Sequence, residues 1–160
     1  MTHYYFDTSA LVKYYIAEMG TQWVKALIEK RDGGQWINML STSALTWVET
    51  ISAFSKRHRS KEISPRLYTA LTDRFLVDGR TRYSCLPVDD ATISLAVELI
   101  QRHPLRAYDA VQLATALRLN QVLRDNRFPP LTFVSADGVL CQAAEAERLA
   151  TVNPNELEEE

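Results

Sequence analysis

Short apolar runs alternate with longer amphipathic stretches along the whole chain, and that alternation admits few folds. Tyr4-Tyr5-Phe6, Trp36-Ile37-Asn38-Met39-Leu40, Tyr83 to Leu86 and Leu131-Thr132-Phe133-Val134 read as strands, and Thr151-Val152 as a fifth at an edge. Helices are expected from about Ala10 and again after Gly20, where Trp23, Leu27 and Ile28 form an apolar stripe. Others run from the Ser41-Thr42-Ser43 cluster to about Arg59, and from Ser64-Pro65, a capping residue with proline at the first helical position, to near Gly79. These two should form an antiparallel hairpin around Ser60. Asp89-Asp90 opens a helix through about Arg102, a further one spans Ala107 to Leu123, and a last one follows Asp137-Gly138 to about Leu149. Such an order implies an α/β fold, a three-layer α/β/α sandwich around a mostly parallel sheet of four to five strands.

The 160 residues fit one domain, expected over residues 1–153, with 154–160 as an acidic, disordered tail. Without the four Glu of that tail the net charge of −2 becomes a body of 18 basic and 16 acidic residues, so any basic surface must be local. No apolar run approaches the roughly 18 residues that span a bilayer. The opening Met1-Thr2-His3-Tyr4-Tyr5-Phe6-Asp7 lacks the basic and apolar regions of a signal peptide, so a cytoplasmic location without membrane contact is expected. Cys85 and Cys141 match no zinc spacing, and His3, His58 and His103 are scattered.

What stands out is the placement of carboxylates. Tyr5-Phe6-Asp7-Thr8-Ser9 and Phe133-Val134-Ser135-Ala136-Asp137 each set an Asp just past a strand and just before a helix. If both strands are parallel, both acids emerge at the carboxyl edge of the sheet, where open α/β folds place their sites. Each also reads as a helix cap. Asp109, in the first turn of its helix, suits the helix dipole, and Glu49 reads as a solvated residue or as the partner of Thr46 in a capping box. Around Glu49, Ala44, Trp47, Val48, Ile51 and Phe54 form the apolar stripe.

Phe6-Asp7-Thr8-Ser9-Ala10-Leu11-Val12-Lys13 resembles the first motif of the PIN-domain toxins of VapBC-type toxin–antitoxin pairs. Ser43-Ala44-Leu45-Thr46-Trp47-Val48-Glu49 is similar to their second motif, Leu105 to Leu117 to their third, and Phe133-Val134-Ser135-Ala136-Asp137 to their fourth. The four follow the family's order over nearly the whole chain. The resemblance implies that Asp7, Glu49, Asp109 and Asp137 converge on one or two Mg²⁺ or Mn²⁺ ions. Asp7 and Asp109 would bind directly, while Glu49 and Asp137 would bind through water or complete a second ion site. Hard divalent cations take such oxygen ligands. Ser9 and Ser135 would orient the carboxylates. Gly138 departs from the pattern, where a larger residue is usual.

The implied activity is hydrolysis of RNA phosphodiester bonds, with a small cognate antitoxin laid along the groove and a homodimer as the assembly. Lys13, Lys56, Arg57, Arg59 and Lys61 are candidate phosphate contacts, although Lys56 to Lys61 also reads as a solvated helix end. A PIN nuclease acting on DNA and a catalytically idle PIN interaction module are the alternatives. A haloacid-dehalogenase-like phosphatase would need an Asp where Ser9 stands, and a metal-dependent adhesion module a Ser where Leu11 stands.

Overall fold

The computed structural model describes residues 1–157. Its elements in order are β1 (Thr2–Phe6), α1 (Thr8–Tyr15), α2 (Thr21–Ile28), β2 (Arg31–Asp32), β3 (Gln35–Trp36), β4 (Asn38–Ser43), α3 (Leu45–Arg59), α4 (Pro65–Thr81), β5 (Ser84–Leu86), α5 (Asp90–Arg102), α6 (Ala107–Asp125), β6 (Thr132–Val134), α7 (Gly138–Ala146) and β7 (Ala150–Val152). Five strands make one sheet in the order β5-β4-β1-β6-β7, parallel at every pairing. This is the expected three-layer α/β/α arrangement, with β7 at an edge.

Side chains alternate across a strand, and the central strands show it. Tyr5 and Phe133 are buried on one face, with rings stacked at 5.7 Å, in a core shared with Leu99, Leu113 and Leu140 of α5, α6 and α7. Phe6 and Val134, one residue on, face the opposite core, with Leu11, Val24, Phe54 and Phe75 of α1 to α4. Both faces of the sheet are therefore covered, as a parallel sheet requires. Ser64 caps α4 by accepting from the Leu67 amide, with Pro65 in the first turn, and Asp89 caps α5 through the Thr92 amide. The carboxyl ends of β1, β4 and β6 all open on the same edge.

Three local expectations change. The second strand begins at Asn38 and continues through Ser43, so the Ser41-Thr42-Ser43 cluster is strand rather than helix start. Parallel pairing explains it: Ser41, Thr42 and Ser43 lie beside Ser84, Cys85 and Leu86 of β5. Trp36 belongs instead to the antiparallel β2–β3 ribbon, with the guanidinium groups of Arg31 and Arg82 against its ring at 3.6 and 4.3 Å. On α3 the buried positions are Thr46, Thr50 and Phe54, while Val48 is 69% exposed. Finally, Pro154–Glu156 form a turn of 3-10 helix with Pro154 buried against Gly20, so this part of the expected tail is structured. Glu158 to Glu160 lie outside the described residues. Among those residues, no helix is long and apolar enough to cross a membrane.

Candidate active site

Asp7 and Asp137 leave their strands at the same sheet edge because β1 and β6 are parallel neighbours, joined there by the Asp7 amide donating to the Val134 carbonyl at 3.1 Å. Both acids do cap helices. Asp7 Oδ1 accepts from the Ala10 amide at 3.1 Å, and Asp137 Oδ1 accepts from the amides of Val139 and Leu140 at 2.9 and 3.1 Å. Capping occupies one oxygen of each carboxylate, so the cap and site readings are compatible. Asp109, from the first turn of α6, and Glu49, from α3, reach the same place. All four line one open groove of about 890 Å³.

Burial pushes the Asp7 carboxyl up to about 7, against the lowering influence of the Ser9 hydroxyl, the Ala10 amide and the Ser135 hydroxyl; Asp109 adds a smaller repulsion. Asp109 is raised as well, first by burial and then by the charges of Asp137 and Glu49, with Arg106 opposing. Ser9 Oγ donates to the two Asp7 oxygens at 2.8 and 3.0 Å and accepts from the Ala136 amide at 2.9 Å. Ser135 Oγ lies 3.4 Å from it and accepts from the Asp137 amide at 3.1 Å. Ser9 thus bonds the Asp7 carboxylate directly, while Ser135 bonds Ser9 and the Asp137 backbone.

Hard oxygen donors whose negative charge is costly to hold together fit a divalent cation chemically. Among the described residues, however, no three His, Cys, Asp or Glu side chains stand close enough to form a ready metal cage. The implied convergence is therefore a shared groove and not a preformed coordination sphere.

The basic residues divide. Lys56 is exposed and lines the groove. Lys13 and Arg57 also border it, but Lys13 is 3% exposed and bonded to Glu18 Oε1 at 3.1 Å and to the Met19 carbonyl at 2.8 Å, and Arg57 pairs with Glu18 at 3.0 Å. Arg59 and Lys61 are exposed at the hairpin tip, outside the groove lining. Sequence reasoning passed over Thr8, Arg106, Tyr108 and Gln112, all of which line the groove. A signal existed for Gln112, a lone amide in the apolar stretch Ala110 to Leu117.

The PIN domain model matches residues 4–134, most of the chain and all but the last carboxylate of the groove. The chain belongs to the PIN-domain family. Solved structures share this PIN fold. A toxin–antitoxin complex from Klebsiella pneumoniae is 19% identical, covers 96% of this chain and 99% of that one, and superposes with a TM-score of 0.60. FitAcB from Neisseria gonorrhoeae is 16% identical over 96% and 99%, with a TM-score of 0.62. VapC20 from Mycobacterium tuberculosis, a sarcin-ricin loop cleaving toxin, is 19% identical over 94% and 98%, with a TM-score of 0.59. No curated protein matched. Membership of the PIN family supports a PIN-type nuclease function in general terms.

Proposed function

We propose that this PIN domain is a Mg²⁺- or Mn²⁺-dependent endoribonuclease, the toxin of a type II toxin–antitoxin pair, with residues 1–153 as its single domain and the cytoplasm as its place of action. The observation that carries the reading is four carboxylates lining one groove, with Asp7 buried enough to hold its proton to about 7 until a cation compensates it. Asp7 and Asp109 would hold the ion directly, with Glu49 and Asp137 acting through water or at a second position. Such an ion supplies an activated water and neutralises charge on the phosphate. The chain's own contribution is placement: Ser9 and Ser135 fix the acids at the sheet edge, Lys56 and Arg106 bring positive charge to the rim, and Asp109 from α6 and Asp137 from the cap of α7 face one phosphodiester.

The likeness to a Klebsiella toxin–antitoxin complex and to a sarcin-ricin loop cleaving toxin of Mycobacterium favours RNA and a small antitoxin over the DNA and idle-module readings. Exposed Val48 on the groove wall offers that antitoxin an apolar contact. A homodimer is the proposed assembly. The test is cleavage of matched RNA and DNA by the purified chain with Mn²⁺ and with EDTA. RNA products with 5′-phosphate and 3′-hydroxyl ends, formed only with metal, are expected, because water attacks phosphorus while the bond to O3′ breaks. Products ending in 2′,3′-cyclic phosphate, or cleavage by protein shown to be metal-free, would sink the mechanism.

A further inference from the structure

Gln112 is 1% exposed in a stretch of α6 otherwise buried through Ala110, Leu113, Ala114 and Ala116. An amide in such surroundings is costly unless its donors and acceptor are paired. Here all are. Nε2 donates to Glu49 Oε1 at 2.8 Å and to the Thr46 hydroxyl at 2.9 Å, with the Thr8 hydroxyl at 3.3 Å, and Oε1 accepts from the Tyr5 hydroxyl at 2.7 Å. Only one amide orientation satisfies this set. A carboxylate only accepts, so the nitrogen faces Glu49; the oxygen then faces Tyr5, whose phenol must donate.

Thr8 adds a second donor to the same Glu49 oxygen at 2.9 Å. Oε1 of Glu49 is thus committed to protein donors, and Oε2 takes none among the described residues. The donors come from α1 and α6, and the lock on the amide comes from β1 at the centre of the sheet. Thr46 is tied to the sheet in turn, its hydroxyl 2.7 Å from that of Thr42, which donates to the Phe6 carbonyl at 2.9 Å.

We infer that Gln112 is a positioning residue: its amide, locked by Tyr5, holds Glu49 by one oxygen and leaves the other free to act in the groove. The inference rests on the reading of Glu49 as a member of the working carboxylate set. Tyr5 is fully buried, does not line the groove and donates its hydroxyl to Gln112, so its effect on cleavage is expected through that amide.

The experiment uses the full chain and the variants Gln112→Met, Tyr5→Phe, their combination and Glu49→Gln. It measures kcat and KM on RNA and the Mn²⁺ concentration that gives half of the metal-induced rise in melting temperature. Gln112→Met should lower kcat about 10- to 100-fold, the range for a residue that orients a metal-binding side chain, and raise the Mn²⁺ midpoint. KM should stay within about twofold, because the amide touches no substrate. Tyr5→Phe should shift both readouts the same way, since an unlocked amide can turn its oxygen toward Glu49. In the Gln112→Met background Tyr5→Phe should add nothing. The combined variant leaves no orphaned hydroxyl on Tyr5, so it keeps the comparison open if Gln112→Met alone is unstable. Wild-type kcat and Mn²⁺ midpoint in the Gln112 variants, beside an inactive Glu49→Gln, would overturn the inference and leave the carboxylate site standing. Additive losses from Tyr5→Phe and Gln112→Met would overturn the lock. Full activity in Glu49→Gln would remove the role of Glu49 itself.

Discussion

The Ser9 hydroxyl lies 3.4 Å from that of Ser135 and bridges both oxygens of Asp7, so the ends of two neighbouring strands are tied together at the carboxylates. A hydrogen bond to a carboxylate favours its charged form, and Ser9 is the strongest influence opposing the burial of Asp7. Ser9→Ala should therefore push the Asp7 carboxyl above its value of about 7 and leave less of it ionised at neutral pH. We expect cleavage at pH 7 to fall about 10- to 100-fold, and the acid limb of the pH–rate profile to move to higher pH. A profile that drops in height without moving would show that Ser9 works through geometry alone.

Asp7→Asn separates function from stability. The unfolded chain releases this proton near 3.8, whereas the folded, metal-free protein keeps it until about 7. Between those values the native state binds more protons, so stability falls as pH rises through the window. The full cost, roughly 4 kcal/mol, is present above it and absent below 3.8. Asparagine keeps an oxygen for the Ala10 amide and carries no charge. In EDTA the variant should thus be more stable than wild type at pH 8, with the difference closing toward pH 4, while cleavage is abolished. Urea midpoints at both pH values check the sign. Added Mn²⁺ should raise the melting temperature of wild type more than that of the variant; equal rises would remove Asp7 from the site.

The legible part of this fold was its period. Tyr5 and Phe6, or Phe133 and Val134, lie on opposite faces as period two requires, and the Ser64-Pro65 and Asp89 caps fall where local chemistry puts them. What failed was side-chain polarity as a guide to burial. Val48 is exposed on the groove, whereas Thr46 and Gln112 are buried beside it, because they form the polar network under the Glu49 carboxylate; Thr50 is buried as well, with its hydroxyl unpartnered among the described residues. Ser41-Thr42-Ser43 looked like a helix start, and distant pairing, with β1 at Ser41 and with β5 more than 40 residues on, makes it a strand. Asp7 and Asp137 were legible as a matched pair of strand ends. Glu49 and Asp109 came from family resemblance, since on their own helices neither differs from a solvated acid.

Gly79 gives a test of the scaffold that is independent of the chemistry. A Cβ at this helical position would stand 2.6 Å from the Trp47 ring, which is itself packed on Phe75 with ring centres 5.6 Å apart. An exposed helical Gly→Ala change stabilises by about 1 kcal/mol through backbone entropy. Here the ring has Phe75 behind it, and overpacking of this kind costs about 1–3 kcal/mol. Gly79→Ala should lower the melting temperature in spite of the gain in helix propensity. Because Trp47 lies two residues before Glu49 on α3, it should also reduce cleavage. A more stable variant would mean that α3 and α4 separate freely.

The basic residues of the hairpin should not contribute equally to RNA binding. Each phosphate contact releases counterions, and losing one lowers the slope of log K against log salt by about 0.7 to 0.9. Lys56 is exposed and lines the groove with the carboxylates, whereas Arg59 and Lys61 are exposed at the tip beyond it. Arg57 is already paired with Glu18 and, at 3.5 Å, with Glu62, so it must exchange a carboxylate for a phosphate and gains less. In a non-cleaving Asp109→Asn background, Lys56→Ala should flatten the salt dependence of binding to a labelled RNA hairpin by about one contact. Arg59→Ala and Lys61→Ala should leave that slope nearly unchanged. Fluorescence anisotropy across a salt titration distinguishes the cases. Flattening by Arg59→Ala as large as that by Lys56→Ala would extend the RNA contact from the groove to the tip of the hairpin and overturn the division between these residues.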